Sequence, residues 1–154
     1  MRFDKSTKNH IISNMKYVLD TNVLVAGLRS RTGASRQLLM ALYRGQFRAL
    51  ISVAIMLEYE AVLTRPEHLT AFHLSRDEVV RFLDGMTYLL TPVTPFYLWR
   101  PQLKDPADEI MLETAVNGGA DAIVTFNIKH FLPAAAKFGL DVILPGEALR
   151  RITR

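Results

Sequence analysis

Residues 16–22 read Lys16-Tyr17-Val18-Leu19-Asp20-Thr21-Asn22, a short apolar run that ends in polar residues. Continuous apolar runs of this length are typical of strands that are buried on both faces. A carboxylate directly after such a strand is partly desolvated and requires a partner, most simply a cation. The stretch therefore predicts a first buried strand with an acid at its carboxyl end.

Apolar runs and helical patterns alternate along the rest of the chain. We expect strands at 49–52, near Val93, at 120–125 and at 141–145, and helices at 33–45, 53–63, 75–90, 105–118 and 146–152. Because the apolar runs are too continuous for half-exposed strands, helices should cover both faces of the sheet. The pattern predicts an α/β fold with a mainly parallel sheet.

Several helix boundaries carry specific signals. Ser75 and Glu78 have the spacing of a capping box, and Asp105 followed by Pro106 has the form of an N-cap and first helical residue. Arg65-Pro66 should end the helix that starts near Val53. The residues after Asp20, and those around His68 and His73, are expected to form loops.

Length and composition indicate one globular domain. The 154 residues are 49% hydrophobic and 22% charged, an ordinary balance for such a domain. We assign residues 15–154 to the domain and residues 1–14, which lack periodicity, to a flexible N-terminal extension. No apolar run approaches the roughly 20 residues that a membrane span needs. Without cysteine or a signal-like apolar core, the chain is expected to be cytoplasmic and not membrane-bound.

Positive charge is concentrated near the first acid. The formal net charge is +4, and no acid lies between Asp20 and Glu58, where five arginines occur. An arginine-rich stretch can bind phosphate and attract a polyanion, although solvated arginines on a helix surface explain it equally well. Arg29 and Arg31 follow Asp20 closely, so we expect them at the same edge of the sheet.

Ligands of parallel sheets bind beyond the carboxyl ends of the strands. Asp20, Thr21 and Asn22 follow the first strand, and Thr125, Phe126 and Asn127 follow the strand at 120–125. These residues are therefore candidates for a functional site. The alternative for Asp20 is a structural role, in which it caps a loop.

A second acidic motif opens the helix at residue 105. If Asp105 is the N-cap, Asp108 occupies the third helical position, where an acid is favoured by the helix dipole. Asp108 also shares a helix face with the apolar residues Met111, Leu112 and Ala115. An acid at the tip of a core-facing stripe points toward the sheet, which favours a functional role.

Glu58 and Glu60 lie in an otherwise apolar helix. One of them should face outward, and the other should be partly buried and require a cation. Helical periodicity alone does not choose between the two.

The remaining side-chain chemistry favours oxygen ligands. The histidines are interpreted as surface or packing residues, and the chain has no Gly-x-Ser-x-Gly elbow, phosphate-binding glycine loop or cysteine nucleophile. Carboxylate oxygens suit Mg²⁺ or Mn²⁺. Ions held in this way activate water and stabilise the leaving oxygen of a phosphodiester.

Four segments, in order, resemble the PIN domain family, especially its bacterial toxin-like branch. The resemblance extends from Met15 to about Pro145. Its segments are Lys16–Leu24 with the first acid, Leu57-Glu58-Tyr59 with the second, Asp105–Glu109 with the third, placed on Asp108, and Gly119–Thr125 with the fourth strand.

This resemblance implies a three-layer α/β/α sandwich with about five strands and a metal-dependent endoribonuclease that uses Mg²⁺ or Mn²⁺. It also favours Glu58 over Glu60. The implied partners are RNA, an antitoxin protein and a second copy of the chain. The implied residues are Asp20, Glu58, Asp108 and Asn127 for catalysis, with Asp20 and Asp108 as metal ligands, and Thr21, Asn22, Thr125, Arg29 and Arg31 for substrate binding.

Asn127 departs from the family pattern. Many relatives carry an acid shortly after this strand, whereas the present chain has an amide, which removes one negative charge from the site. The alternative function is therefore an RNA-binding PIN-like module with weak or no catalysis. A phosphatase with an aspartate nucleophile is disfavoured, because the second acid of that chemistry is replaced here by Asn22.

Overall fold

The computed structural model describes residues 13–97 and 102–153. Its centre is a five-stranded sheet in the order β3-β2-β1-β4-β5, with every neighbouring pair parallel. The strands are β1 (Lys16–Leu19), β2 (Arg48–Ile51), β3 (Leu90–Pro92), β4 (Ala122–Val124) and β5 (Asp141–Ile143). Flanking helices complete a three-layer α/β/α sandwich, which confirms the predicted fold class.

The helices of the described residues are α1 (Thr21–Arg29), α2 (Ala34–Tyr43), α3 (Val53–Leu63), α4 (Pro66–Phe72), α5 (Arg76–Thr87), α6 (Pro106–Gly118), α7 (Ile128–Phe131), α8 (Ala134–Lys137) and α9 (Pro145–Ile152). The capping box of Ser75 and Glu78 is present at the start of α5. Asp105 is the N-cap of helix α6, Pro106 lies in its first turn, and Gly119 is its C-cap, where a left-handed φ of 64° favours glycine. These predicted boundaries are therefore confirmed.

The central strands carry the most deeply buried part of the core. Tyr17 and Val18 of β1 and every residue of β4 are fully buried, because each of these strands has neighbours on both sides. Helix α6 packs against β1, β2 and β4. It thereby holds its first turn close to the middle of the sheet.

Two helices occupy segments that we expected to be loops. Helix α1 begins directly after Asp20 and buries Val23 and Leu24, and a Cβ on Gly27 would lie only 2.5 Å from the Leu39 side chain of α2. This short amphipathic helix depends on close packing against α2, which the local pattern did not reveal. Helix α4 forms because Pro66, which ends α3, is also a favourable first residue for a new helix.

The third strand and the N-terminal extension were also predicted from the sequence. Strand β3 ends at Pro92, so the strand prediction centred on Val93 was placed too late in the chain. The proposed N-terminal extension lies almost entirely outside the described residues. No helix within the described ranges is long and apolar enough to cross a membrane.

Candidate active site

The candidate site lies where the chain reverses its order across the sheet. Strand β1 is followed in sequence by β2 on one side, whereas β4 pairs with it on the other. Leu19 and Val124 are partners in this pair, and the Asp20 amide donates a hydrogen bond to the Val124 carbonyl at 2.9 Å. Asp20 and Thr125 therefore stand side by side at a switch point, the usual ligand position in such folds.

Asp20 is a buried acid held by two hydrogen bonds. Its Oδ1 accepts from the Thr21 amide at 2.8 Å, which makes Asp20 the N-cap of α1, and its Oδ2 accepts from the Thr125 hydroxyl at 2.6 Å. Burial raises the pKa of Asp20, and these hydrogen bonds oppose that rise. The capping role that we considered as an alternative is thus present, but one oxygen faces the neighbouring strand.

Tyr59 fixes the end of β1 from the side of α3. Its fully buried hydroxyl donates a hydrogen bond to the carbonyl of Leu19, the residue before Asp20. Burial and the nearby charge of Asp20 raise the pKa of Tyr59. The phenol therefore stays protonated and holds α3 against the candidate site.

Asp108, in the first turn of α6, is the second buried acid. It is only 9% exposed, and burial is the largest cause of a pKa raised to about 6. The negative charges of Asp20 and Asp105 raise this pKa further, whereas contact with His130, at 3.5 Å between Nδ1 and Oδ2, lowers it. The fold thus brings Asp20 and Asp108 close enough for their charges to interact.

The turn after β4 is organised by the Thr125 hydroxyl. Besides donating to Asp20, this oxygen accepts from the Asn127 amide at 2.9 Å and from Asn22 Nδ2 at 3.5 Å. The side-chain oxygen of Asn22 accepts from the Phe126 amide at 3.4 Å. Asn22 and Thr125 therefore connect the ends of two neighbouring strands.

Two other predicted site residues contribute mainly through the backbone. The Asn127 side chain is exposed and makes no capping hydrogen bond to α7, so its observed contribution is the amide that binds Thr125. Thr21 is buried, and its hydroxyl has no hydrogen-bond partner among the described residues.

Glu58 and Glu60 have different surroundings. Glu60 lies 4.0 Å from Arg76 of α5, which gives it a cationic partner outside the site. Glu58 is partly exposed, and no hydrogen bond or ion pair of its side chain occurs within the described ranges. The charge of Asp20 contributes to the raised pKa of Asp108, whereas Glu58 is not among the charges that shift the pKa of either acid.

Arg29 and Arg31 do not follow Asp20 in a loop, as we expected, but lie at and just beyond the end of helix α1. Arg29 is the last residue of α1, and Arg31 is exposed in the connection to α2. A rise of 1.5 Å per residue separates Arg29 from the start of α1 by roughly 12 Å. The cause is the helix that replaced the expected loop.

The structure also assembles residues that our sequence analysis did not assign to the site. A cleft of 520 Å³ opens beside Asp108, and its lining comprises Gln102, Leu103, Lys104, Asp105, Asp108, Lys129, His130, Leu132 and Pro133. His130 was interpreted as a surface or packing residue, and Asp105 only as a cap. The sequence signal that could have identified His130 as a site residue is its position three residues after Asn127, which lies in the turn that follows β4.

Glu109 supports one wall of this cleft. It is only 5% exposed, and its Oε1 accepts hydrogen bonds from the backbone amides of Gln102 and Leu103. Its Oε2 is buried without a hydrogen-bond partner in the described part of the chain. One buried carboxylate thus holds the segment that leads into Asp105.

The donor set fits a hard divalent cation that is bound with few protein ligands. Among residues 13–97 and 102–153, no three His, Asp or Glu side chains form a complete metal site. Mg²⁺ commonly takes only one or two protein carboxylates and completes its shell with water and substrate phosphate. Asp20 and Asp108 meet that requirement, because both are buried acids without an arginine or lysine partner among these residues.

Fold and site together define an α/β sandwich protein with paired acids at a switch point. A sequence model of the PIN domain matches residues 16–129, and the chain belongs to the PIN domain family. PIN domains are generally nucleases, and those nucleases generally use divalent metal ions.

One solved structure with a similar fold is VapBC2 from Rickettsia felis bound to a DNA fragment from its promoter. The TM-score is 0.57 at 19% sequence identity, and the match covers 83% of this chain and 97% of that one. At this identity the similarity concerns the fold. No curated protein sequence matches the chain.

Proposed function

We propose that this PIN domain is a metal-dependent endoribonuclease with Asp20 and Asp108 as its metal ligands. The observation that carries the proposal is the pair of buried acids beside the β1–β4 switch point, where the pKa of Asp108 rises to about 6. Unneutralised negative charge of this kind attracts a cation. Mg²⁺ or Mn²⁺ bound there would supply Lewis-acid activation of water for attack on an RNA phosphodiester.

The surrounding side chains orient the two acids. The Thr125 hydroxyl holds Asp20 Oδ2, and Asn22 holds the turn that carries Thr125, so both residues act on substrate geometry through Asp20. His130 contacts Asp108 from the cleft side, and we expect it to donate a hydrogen bond to a substrate oxygen.

Glu58 remains a catalytic candidate through the family resemblance. We expect Glu58→Gln to reduce cleavage moderately and Glu60→Gln to leave it nearly unchanged, because Glu60 is already paired with Arg76. Single-turnover cleavage rates of the two purified variants compare these roles. A larger loss in Glu60→Gln would mean that the assignment of the two glutamates is reversed.

Arg29 and Arg31 are proposed to bind substrate only where RNA extends along α1. Their joint replacement by alanine should reduce the salt dependence of RNA affinity by about one unit of slope per lost phosphate contact. An unchanged slope would mean that both arginines are merely solvated.

We further propose that the chain is a cytoplasmic toxin of a toxin–antitoxin pair. The structurally similar VapBC2 complex from Rickettsia felis supports this role. The expected partners are an antitoxin protein and, in a homodimer, a second copy of the chain. Induced expression should arrest growth, and co-expression of an antitoxin, to be sought in a short reading frame adjacent to the gene, should restore it. Normal growth under induction would contradict the toxin role.

The second candidate is an RNA-binding module with little catalysis. Asn127 favours it, because an amide stands where an acid is expected. The two candidates are separated by incubating purified full-length protein with labelled RNA in Mg²⁺, in Mn²⁺ and in EDTA. Cleavage that requires metal supports the enzyme, whereas binding without cleavage in every condition supports the module.

A further inference from the structure

One exposed aromatic residue adjoins, in the chain, a residue that binds the buried acid Asp20. Phe126 directly follows Thr125, the residue that holds Asp20, and its side chain is 48% exposed. Burying the apolar surface of a phenylalanine is favourable, so a ligand that covers this ring would gain binding free energy. Its place directly after Thr125 distinguishes Phe126 from the other exposed aromatic residues.

The backbone that carries this ring is held on both sides. The Thr125 amide donates to the Ile143 carbonyl of β5 at 3.0 Å, and the Asn127 amide donates to the Thr125 hydroxyl. The Phe126 amide itself donates to Asn22. The ring is therefore presented from a fixed turn rather than from a free loop.

The other exposed aromatic residues of the described chain do not adjoin a residue that binds the Asp20 carboxylate; they are Tyr43, Tyr88, Phe96 and Tyr97. Tyr88 caps the end of α5 and is 91% exposed, and Phe96 and Tyr97 follow β3, where their amides bind the Asn117 side chain. Each of them is separated from Asp20 by other elements of the fold. Tyr88 consequently offers a matched control for an exposed ring outside the site.

Two unpaired lysines line the cleft that opens beside Asp108. Lys129 follows Phe126 by three residues in α7, and it lines the cleft together with Lys104 and the acids. Neither lysine forms an ion pair or a side-chain hydrogen bond in the part of the chain that the structure describes. Their charges are thus available to a phosphate.

We propose that Phe126 stacks on a nucleobase next to the phosphate that a cation bound by the two acids would hold, while Lys129 contacts the adjoining phosphate. An aromatic face combined with a basic groove is the usual means of binding single-stranded nucleic acid, because every base has a π-face. The inference rests on the proposed function and names two substrate contacts for it. A base that stacks on Phe126 must be free of its duplex neighbours, so duplex RNA should bind weakly.

Fluorescence polarisation of the full-length protein in EDTA tests the stacking contact without cleavage. We expect Phe126→Ala to weaken binding of a single-stranded RNA oligonucleotide by about tenfold, and Phe126→Leu to weaken it nearly as much. Phe126→Trp should retain affinity because it preserves the stacking face. Tyr88→Ala should bind like the wild type, and melting curves should confirm that every variant is folded.

A second readout reports stacking itself. An oligonucleotide that contains 2-aminopurine at successive positions should lose fluorescence at one position with wild-type protein and with Phe126→Trp, but not with Phe126→Ala. Lys129→Ala should lower affinity and the salt slope while leaving the quenching of bound oligonucleotide unchanged.

Equal affinity of wild type and Phe126→Ala, or equal binding of single-stranded and duplex RNA, would overturn the inference. That outcome is separable from a failure of the proposed function, which is measured by metal-dependent cleavage with the wild-type protein. Active enzyme with an unaffected Phe126→Ala variant would reject the stacking contact alone.

Discussion

Carboxylates at the two edges of the sheet have opposite surroundings. At the amino edge, Asp141 lies 2.8 Å from Arg151, and Glu147 pairs with Arg150 and Arg151. Hydrogen bonds from these arginines lower the pKa of Glu147. At the carboxyl edge, Asp20 and Asp108 are buried without such partners, and both have raised pKa values.

This difference separates a stabilising cluster from a functional one. Paired surface acids are neutralised within the fold and contribute modestly to stability. Buried acids that repel each other oppose folding, so their presence requires a compensating ligand or activity.

The largest expected effect is the loss of catalysis at the carboxyl edge. Asp20→Asn and Asp108→Asn should each reduce metal-dependent RNA cleavage by about 100-fold or more, because each removes a proposed metal ligand. Glu147→Gln, an acid of the other edge, and Asp84→Asn, an exposed acid of α5, should cleave normally. Wild-type rates in either carboxyl-edge variant would contradict the metal-ligand assignment.

Two substitutions of Glu109 should distinguish the effect of its hydrogen bonds from the effect of its charge. Glu109→Ala leaves the Gln102 and Leu103 amides without their acceptor and is expected to reduce the free energy of unfolding by about 2–4 kcal/mol. Glu109→Gln keeps a carbonyl oxygen for both amides, so its loss should be small. Urea unfolding of both variants measures the difference, and equal losses would mean that the charge rather than the hydrogen bonds matters.

Stability should respond to pH with opposite sign at the two edges. In metal-free protein, the pKa of Asp108 is raised from 3.8 to about 6, so the folded state binds this proton more tightly than the unfolded state. Its contribution to stability is therefore fully present below pH 4 and is lost as the pH rises to about 6. At pH 7, Asp108→Asn should gain about 2 kcal/mol relative to wild type, and this gain should disappear at low pH.

Glu147 is the matched case, because its pKa is lowered in the folded state. Its contribution is present above its ordinary pKa of 4.5 and is lost as the pH falls through the lowered value. Glu147→Gln should therefore be destabilising at pH 7 and neutral in acid. The free energy of chemical unfolding is to be measured against pH for Asp108→Asn and for Glu147→Gln. If both variants show the same pH dependence, the predicted difference between the two edges is wrong.

The smallest effect is expected at Asn127. Asn127→Asp adds a carboxylate beside the turn and should tighten Mg²⁺ or Mn²⁺ binding, while lowering stability without metal through repulsion with Asp20 and Asp108. The measurement is a metal titration followed by thermal melting. Identical titration curves would mean that the exposed side chain points away from the metal position.

The local signals in the sequence were sufficient for most of the fold. The runs at Lys16–Leu19 and Ala122–Val124 predicted the two central strands, and Ser75 and Asp105 predicted the starts of α5 and α6. Strand burial and helix capping depend on neighbours within a few residues, so a single sequence displays them. Helix α1 was missed because its stability comes from packing on α2 across Gly27.

The sequence by itself determined the α/β class, the PIN resemblance, and Asp20 and Asp108 as candidate acids. Only the tertiary structure decided which groups meet them: the Thr125 hydroxyl on Asp20, His130 against Asp108, and Glu109 beneath the cleft. It also placed Arg29 at the last residue of α1 and Arg31 in the connection that follows. The physical reason is that the strand order places β4 beside β1, although about a hundred residues of chain separate them. Side-chain periodicity carries no information about the order of strands in a sheet.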